Sequence, residues 1–532
     1  MLVRLDTWND PRAVPLGSIT EILGAKDEHR VEMHAIILEH GFATRFKEAV
    51  AREAREIERD HPTRIAEEAP VRRDFRQIST CTIDPLDAKD FDDALSIRTL
   101  PSGLFEIGVH IADVTFFVRE GSALDEEAQW RGTSVYLVDA TIPMLPEELS
   151  GNVCSLKEGE DRLAFSAVFT MDLNGKVHDR TFVRTIIRSD KRFTYEEAQR
   201  VIDTGEGPLH EELRTLDAIS KKLKRARLSQ GAIEFDQDEV KFELDKNGKP
   251  LRAIRKKRLP SMMLVEEFML LANREVAAFV SALLAKVPQH KRLFLYRIHD
   301  VPQEDRIEEL SVYLRAIGYE LREERRRGPL HAKDFNRLFK EIEGKPEEHL
   351  IKTATIRSMA KAIYSVKNIG HFGLSFEHYT HFTSPIRRYP DMLVHRMLMR
   401  HLSGDPMGTQ EFAAYEQLAV HTSEREAEAV AAERESVRYK QVEFMREKIG
   451  AEFDALISGV TEWGIYVEEL STKAEGLVRV RDIPGDYFVL DRKKYALVGE
   501  RTKKQYALGE RVRVKLTGAD LDARTLEFVL AD

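Results

Sequence analysis

The amino-acid sequence predicts an α+β protein in which a large mixed α/β region is followed by a small closed β-barrel. Residues 76–446 combine short alternating strands with long amphipathic helices, which is typical of a mixed domain. Residues 447–532 instead carry five short alternating stretches within about eighty residues, the pattern of a small barrel. Residues 1–40 show β-like alternation with turn signals and predict an incomplete β segment.

Length and composition favour a water-soluble protein of several domains. A chain of 532 residues is too long for one core, so two to four domains are expected. Apolar residues at 42% and charged residues at 33% fit a globular protein, and no apolar run has the length of a membrane span. The N-terminus lacks the basic and apolar parts of a secretion signal, and Cys81 and Cys154 lack metal-type spacing. These features predict a cytoplasmic protein without a membrane partner.

The charge distribution permits a nucleic-acid partner. The net charge of −9 alone argues against binding a polyanion. Basic clusters nevertheless occur at 221–227, 255–258, 325–327 and 492–494. Each cluster is equally compatible with an ordinary solvated surface, so the clusters permit RNA or DNA binding without establishing it.

The elements follow one another in a clear order. Residues 43–60 become charged and helical after the first β segment. Alternation then predicts strands at 77–83 and 94–100 and, after a Pro-Ser-Gly turn, a hairpin partner at 104–118. Amphipathic periodicity predicts long helices at 260–285 and 419–448. The barrel strands are expected at 452–460, 464–470, 475–480, 511–519 and 526–530.

Five aspartates crowd the stretch "CTIDPLDAKDFDDALSI" at residues 81–97: Asp84, Asp87, Asp90, Asp92 and Asp93. Such carboxylates repel one another unless a cation or hydrogen-bond donors offset the charge. An EF-hand loop is excluded because Leu86 or Lys89 occupies the third ligand position and the required glycine is absent. A Mg²⁺-type site that shares its ion with substrate phosphate oxygens and a solvated acidic loop both remain open.

A second segment favours phosphate chemistry. Residues 371–398 place Arg387 and Arg388 after a Ser-Pro turn and before a Tyr-Pro step. An arginine pair is often only a surface ion pair. Beside a carboxylate-bound metal, however, guanidinium groups can bind phosphate oxygens and stabilise charge that develops at phosphorus.

These motifs resemble the ribonuclease II and ribonuclease R (RNB) family of exoribonucleases. The resemblance rests on "TIDPLDAKDFDDA", "RGTSVYL", "IPMLPEELS", "CSL" and "GHFGLSFEHYTHFTSPIRRYPD", which occur in the family's order. The tail "ISGVTEWGIYVEEL" is similar to the family's S-one-type OB-fold barrel, which binds RNA. The wording "DFDD" and the Pro-Asp after "RRY" are closer to ribonuclease R than to ribonuclease II.

The resemblance implies a role for each site residue. Asp84, Asp90, Asp92 and Asp93 would be the catalytic carboxylates that hold Mg²⁺, whereas Asp87 has no counterpart. Arg387 would stabilise the transition state, and Arg388 would bind substrate beside it. Tyr136 and Phe235 would clamp the terminal bases by stacking. Tyr195 and Glu267, or Glu266 in the alternative register, would lie near the ribose and recognise its 2′-hydroxyl group.

The resemblance also implies a domain order: a partial cold-shock-type OB segment (1–40), a helical connector (41–75), the RNB catalytic domain (76–446) and the S-one-type barrel (447–532). The expected activity is Mg²⁺-dependent, processive 3′-to-5′ hydrolysis of single-stranded RNA to nucleoside 5′-monophosphates in RNA decay and quality control, by a monomer. A non-catalytic RNA-binding regulator and a DNA nuclease are the alternatives. Only 83 residues precede Asp84, so a trimmed chain and a naturally short form both stay open. Because "LEFVLAD" is not followed by a lysine-rich tail, duplex unwinding is not expected from the resemblance.

Overall fold

Strands and helices alternate along most of the chain in the computed structural model. It describes every residue except 7, 9–11, 13, 27, 235–238, 289–291, 322–331, 346, 406, 408, 493 and 532. Among the residues it describes, none of the helices combines the length and apolar character that crossing a bilayer would need.

Most strands are short, and the longest are two in the central sheet and two in the C-terminal region. In chain order they are β1 (Leu2–Leu5), β2 (Gly17–Glu21), β3 (Arg73–Asp74), β4 (Thr80–Asp84), β5 (Asp93–Thr99), β6 (Phe105–Ala112), β7 (Val135–Tyr136), β8 (Thr141–Ile142), β9 (Asp161–Met171), β10 (Val177–Arg188), β11 (Lys191–Thr194), β12 (Glu239–Leu244), β13 (Pro250–Lys256), β14 (Tyr296–Ile298), β15 (Ile363–Ser365), β16 (Glu452–Thr461), β17 (Gly464–Glu469), β18 (Glu475–Arg479), β19 (Phe488–Asp491), β20 (Ala496–Gly499), β21 (Gln505–Ala507), β22 (Arg511–Asp520) and β23 (Thr525–Leu530).

The longest described helix has 38 residues, and the next longest has 25 residues. The helices are α1 (His29–Glu39), α2 (Glu48–Glu68), α3 (Val114–Phe117), α4 (Ala123–Arg131), α5 (Tyr195–Thr204), α6 (His210–Gln230), α7 (Pro260–Leu284), α8 (Glu304–Ala316), α9 (Ala332–Ile342), α10 (Glu348–Ser358), α11 (Tyr389–Leu402) and α12 (Thr409–Arg446). The periodicity-based prediction of long helices is met by α7 and α12.

A seven-stranded sheet in the order β11-β4-β5-β6-β9-β10-β3 forms the centre of the mixed region. Its inner pairs are antiparallel, and the edge strands β11 and β3 run parallel to their neighbours. Strands β4 and β5 pair only at Thr80 with Ser96 and at Cys81 with Leu95. Beyond these pairs the two strands diverge, which opens space for the acidic loop between them.

The C-terminal strands β16, β17, β18, β23 and β22 form a closed barrel. These are the five stretches that the alternation predicts, so the predicted fold class is confirmed. Their buried residues include Ala455, Ile457, Ile465 and Val467, which alternate with more exposed neighbours as inward-facing barrel residues do. The three-stranded sheet β19-β20-β21 lies in the connection between β18 and β22.

Among the described residues, buried apolar side chains form three clusters. The largest packs the central sheet against helices that include α2, α7 and α11. A second joins the barrel interior to α12, α1 and β7, and therefore links the barrel to the mixed region. The third lies among α8, α9 and α10.

Two local differences from the alternation pattern have physical causes. Within the first forty residues, 29–39 form helix α1, because Met33, Ile36 and Ile37 bury one helical face in the core shared with α12. The predicted strand at 104–118 ends at Ala112, and α3 follows. The backbone of buried Asp113 leaves the extended conformation there, with φ −82° and ψ 65°, and its carboxylate lies 2.8 Å from the guanidinium of Arg72.

Candidate active site

The acidic motif lies where β4 and β5 diverge. Asp84 is the last residue of β4 and Asp93 the first residue of β5, so the strands fix both ends of the loop. Asp84 and Asp92 are buried, whereas Asp90 and Asp93 are partly exposed. Asp87 is exposed, in keeping with its lack of a counterpart in the resemblance. The four carboxylates predicted to be catalytic are therefore all at least partly buried, whereas Asp87 is open to solvent.

The arginine motif meets the acidic loop directly. The backbone N–H of Ile386 donates a 2.9 Å hydrogen bond to Oδ1 of Asp92. The Nε atom of Arg387 lies 3.8 Å from Oδ2 of the same aspartate, and its side chain remains 40% exposed. Residues almost 300 positions apart in sequence thus converge on one carboxylate. Arg387 also donates to Oγ of Ser384 over 3.0 Å.

Arg388 is fixed by a buried partner that the sequence reasoning missed. Nε and Nη2 of Arg388 donate to the two carboxylate oxygens of Asp391 at 2.9 and 2.8 Å. Asp391 is fully buried and also accepts the Ser384 N–H over 2.7 Å. Burial acts to lower the pKa of Arg388, but Asp391 outweighs it and raises the pKa above its usual value. Arg388 therefore braces the loop that presents Arg387; the i, i+3 spacing to Asp391 was the available signal.

Burial and mutual repulsion raise the pKa values of the carboxylates above their ordinary values. Burial, followed by repulsion from Asp93, raises the pKa of Asp84 to about 8. Burial raises the pKa of Asp93 to about 6 against the opposing charge of Arg387. Burial also raises the pKa of Asp92 well above its usual value and that of Asp90 to a smaller extent. The cluster consequently needs added positive charge to be fully ionised near neutral pH.

The residues fit a divalent cation whose coordination shell is completed by substrate. The Asp84 Oδ2 atom is buried and lacks a hydrogen-bond partner in the described part of the chain. Within those same residues, no group of three His, Cys, Asp or Glu side chains is arranged to hold an ion by itself. Mg²⁺ is commonly held by one or two carboxylates, water and substrate phosphates rather than by a closed protein cage. The donor set suits such an open site.

A cavity of about 550 Å³ opens beside these groups and is lined by Asp93, Tyr195, Arg387 and Arg388. Tyr195 begins α5, where burial and then the charges of Asp93 and Asp84 raise the pKa of its phenol. The predicted ribose-side residue therefore faces the same cavity as the acidic and arginine motifs.

Tyr136 lies on β7 at the edge of the site. The Ser134 N–H donates to the carbonyl oxygen of Arg387 over 2.9 Å, which ties this segment to the arginine loop. Burial raises the pKa of Tyr136 to about 12, with smaller effects from Arg387 and Asp90. The residue remains 37% exposed, so its ring is available to a ligand. The predicted second half of the clamp, Phe235, lies outside the described residues.

The two candidate glutamates on α7 face different cavities. Glu266 lines the cavity shared by Tyr195 and Arg387 and pairs with Arg258. Glu267 is buried, pairs with Arg227 and lines a separate cavity on the other side of α7. The structure therefore brings Glu266, rather than Glu267, next to the acidic and arginine motifs.

Comparison with known families defines the class of protein. The RNB domain matches residues 72–404, more than half of the chain, and the Cold shock domain matches residues 1–47. The RNB match spans the acidic loop, Tyr136 and the arginine loop. The protein is therefore an RNB-domain protein with cold-shock-type sequence at its N-terminus.

Its relatives narrow this class to one family. Ribonuclease R of Aquifex aeolicus is 37% identical over 540 residues, covering 100% of this chain and 75% of that protein. Ribonuclease R of Thermotoga maritima is 36% identical, covering 99% of this chain and 74% of that protein. The solved structure of Mycoplasma genitalium RNase R with ribose methylated single-stranded RNA has a TM-score of 0.87 at 26% identity, covering 97% and 80% of the respective chains. The chain belongs to the ribonuclease R family, which confirms the predicted exoribonuclease hydrolase and does not favour a non-catalytic regulator.

Proposed function

We propose that the protein is a Mg²⁺-dependent, processive exoribonuclease that hydrolyses single-stranded RNA from its 3′ end to nucleoside 5′-monophosphates. The carrying observation is the convergence of the acidic and arginine loops on Asp92, through the Ile386 N–H and the Arg387 guanidinium. Family membership supports the reaction class. The relative crystallised with single-stranded RNA supports the substrate class.

The four aspartates of the site, Asp84, Asp90, Asp92 and Asp93, are the proposed metal ligands. Bound Mg²⁺ would supply a more acidic water and offset charge on the phosphate oxygens. The carboxylates would hold the ion and orient that water. Because burial raises their pKa values, they favour the ionised form only beside a cation. Asp92 additionally keeps the arginine loop in register through Ile386.

The metal and protons compete for the carboxylates, which predicts a pH-dependent stability. The folded-state pKa values of Asp84, about 8, and Asp93, about 6, exceed the ordinary value near 4, so metal-free folded protein binds more protons between those values. The contribution of these two groups to the free energy of unfolding should therefore be largest below about pH 4 and should decrease as the pH rises to about 8. Thermal melts in EDTA at pH 5 to 8 measure it.

Added Mg²⁺ should raise the melting temperature more at pH 8 than at pH 5, because fewer protons must be displaced. Asp84→Asn should flatten the metal-free dependence. A metal-free melting temperature that rises steadily from pH 5 to 8 in the wild type, with no change in slope in Asp84→Asn, would contradict the assignment.

Arg387 is the proposed phosphate-binding cation. Its side chain is exposed enough to reach a ligand, and among the described residues its one ion pair is the long 3.8 Å contact with Asp92. Arg388, in contrast, directs its Nε and Nη2 donors at Asp391. Arg387 therefore neutralises charge on the phosphoryl group, while Arg388 contributes to substrate binding through the position of the loop.

Base stacking on Tyr136 and ribose contacts at Tyr195 and Glu266 would hold the 3′ end without reading sequence. Every base has a π-face, so stacking is sequence-tolerant and contributes about 1–3 kcal/mol per base. Hydroxyl and carboxylate groups beside the sugar can pair with a 2′-hydroxyl, which DNA lacks. Phe235 remains the proposed opposite face of the clamp.

Substitution Tyr136→Ala should leave a longer terminal RNA fragment. Loss of one stack weakens the hold on short intermediates by about 1–3 kcal/mol, so they dissociate earlier, while long RNA retains its other contacts. A denaturing gel of 5′-labelled RNA measures both the final length and the early rate. Tyr136→Phe keeps the ring and should give the wild-type end product; a wild-type end product from the folded alanine variant would assign Tyr136 to packing alone.

The barrel would guide RNA towards the cavity. Trp463, in the turn between β16 and β17, is 64% exposed, and Tyr487 is 72% exposed. Exposed aromatic rings with nearby basic residues are the usual means of binding single strands. Tyr466, which the sequence also suggests, is partly buried. The free thiols of buried Cys81 and Cys154 suit the reducing cytoplasm.

The decisive experiment incubates the protein with 5′-labelled single-stranded RNA in the presence of Mg²⁺ or EDTA. We expect the label to move through progressively shorter products only with metal, and nucleoside 5′-monophosphates to accumulate. Internal cleavage products, or degradation in EDTA at the Mg²⁺ rate, would overturn the proposal.

The matched DNA strand serves as the substrate control. Because a missing 2′-hydroxyl leaves polar groups unpaired and the sugar misplaced, DNA should bind but be degraded far more slowly. Equal degradation of both strands would remove the ribose-recognition assignment and favour a general nuclease.

A further inference from the structure

His381 occupies the active cavity but has no part in the mechanism described so far. It lies between β15 and α11 and lines the same cavity as Asp93, Tyr195 and Arg387. Its side chain is partly exposed, in keeping with contact with that open space.

The backbone on both sides of His381 is held in place. The Oγ1 hydroxyl of Thr380 donates to the carbonyl oxygen of Leu295 over 2.7 Å. The N–H of Phe382 donates to Oδ1 of Asn273, also over 2.7 Å. Thr380 and Phe382 are buried, so the position of the intervening imidazole is set by the fold and not by local loop motion.

Tyr364 selects one tautomer of the imidazole. Its phenolic oxygen lies 2.7 Å from Nδ1 of His381. Burial raises the pKa of Tyr364, so the phenol keeps its proton. Burial and then the charge of Arg388 lower the pKa of His381 well below its usual value, so the imidazole is neutral. If Nδ1 carried the proton, the phenolic proton would have no acceptor among the described residues; the phenol therefore donates to Nδ1 and the proton resides on Nε2.

The Nε2 atom is free to meet a ligand. Nε2 makes no hydrogen bond within the described part of the chain. It is also absent from the set of buried polar atoms that lack a partner. Nε2 is therefore not buried, and it belongs to a side chain that lines the cavity, so it is open to that cavity. The result is a neutral N–H donor with a fixed direction.

We propose that the Nε2–H group of His381 donates a hydrogen bond to a non-bridging oxygen of the terminal phosphodiester, beside Arg387. The inference rests on the proposed function, because it names a further substrate-contacting residue of that site. Phosphate is the favoured ligand because Arg387, the proposed phosphate-binding cation, lines the same cavity as His381. A neutral donor complements a guanidinium by adding direction without a second buried charge.

Replacement of His381 separates this contact from packing. His381→Phe keeps a ring but no donor and should reduce kcat by roughly 10²-fold, the scale of one lost transition-state donor, with RNA affinity little changed. His381→Gln places an amide N–H near the position of Nε2 and should recover most of that loss. His378→Phe, three residues upstream and paired with Asn368 outside this cavity, is the matched control and should keep near-wild-type kcat.

An atomic substitution in the substrate tests the ligand directly. RNA with sulfur at one non-bridging position of the terminal phosphodiester presents a weaker acceptor, so the wild type should lose rate with one diastereomer. That penalty should be several-fold smaller in His381→Phe, because the donor is already absent. Tyr364→Phe should lower kcat several-fold in an otherwise wild-type protein and should have no further effect when combined with His381→Phe. The ¹⁵N spectra of His381 should show the proton on Nε2 only while Tyr364 is present.

The outcomes separate the two proposals. Wild-type protein that leaves RNA intact with Mg²⁺ would refute the proposed function itself. Wild-type degradation together with full kcat in folded His381→Phe, or an unchanged sulfur penalty in that variant, would refute the role of His381 alone. A loss in His381→Phe that glutamine rescues, with a reduced sulfur penalty, supports it.

Discussion

Asp92→Asn is expected to abolish RNA hydrolysis while the protein remains folded and binds RNA. The substitution removes a carboxylate from the proposed metal site but preserves an oxygen that can accept the Ile386 N–H. We expect kcat to decrease by about 10³-fold, the upper end of the cost of losing one preorganised electrostatic group. Affinity should change little, because stacking and phosphate contacts elsewhere hold the strand. Single-turnover assays and filter binding in Mg²⁺ measure the two quantities.

Asp87→Asn is the matched control, since Asp87 lies in the same loop but is exposed. It should retain wild-type kcat. Because burial raises the pKa of Asp92, its ionised form opposes folding without metal, and Asp92→Asn should melt at a higher temperature in EDTA than the wild type. Near-normal turnover by Asp92→Asn would remove the metal-site assignment, whereas equal losses in both variants would show a general disturbance of the loop.

Local patterns in the sequence were sufficient for the fold class. The five barrel strands are predicted at their observed places because alternation with period two directly reflects one face turned towards an interior. The helices α7 and α12 are predicted because an apolar stripe repeated over many turns has no strand equivalent. Family motifs then connected the acidic and arginine segments, which the structure brings together at Asp92.

Features that depend on tertiary direction were not accessible in the same way. Neighbouring helical residues point about 100° apart, so the sequence alone left Glu266 and Glu267 as alternatives, and only the packing of α7 decides which faces the cavity. The role of His381 depends on Tyr364, which lies on a separate strand, β15. Helix α1 forms where the alternation suggested β structure, because its apolar face packs against distant α12.

Asp391→Ala is expected to cause a large loss of both stability and activity. The carboxylate is fully buried and satisfies Arg388 through two hydrogen bonds and Ser384 through a third. Its removal leaves a largely buried guanidinium without a counter-charge, which typically costs about 3–5 kcal/mol. The same change releases the loop that presents Arg387, so activity at a temperature where the variant is still folded should also decrease strongly. Denaturant unfolding and kcat on RNA measure the two effects.

A surface ion pair at the end of helix α11 provides the control for Asp391→Ala. Arg400 near the end of α11 donates to Asp405 over 2.8 Å, but the Asp405 side chain is 57% exposed. Asp405→Ala should therefore change the free energy of unfolding by no more than about 1 kcal/mol and leave kcat unchanged. Asp391→Asn should lie between the two, because its amide oxygen can still accept the Ser384 N–H while the charge opposite Arg388 is lost. If Asp391→Ala proved as mild as Asp405→Ala, the arginine loop would not depend on this buried pair, and Arg388 would be free to bind phosphate alongside Arg387.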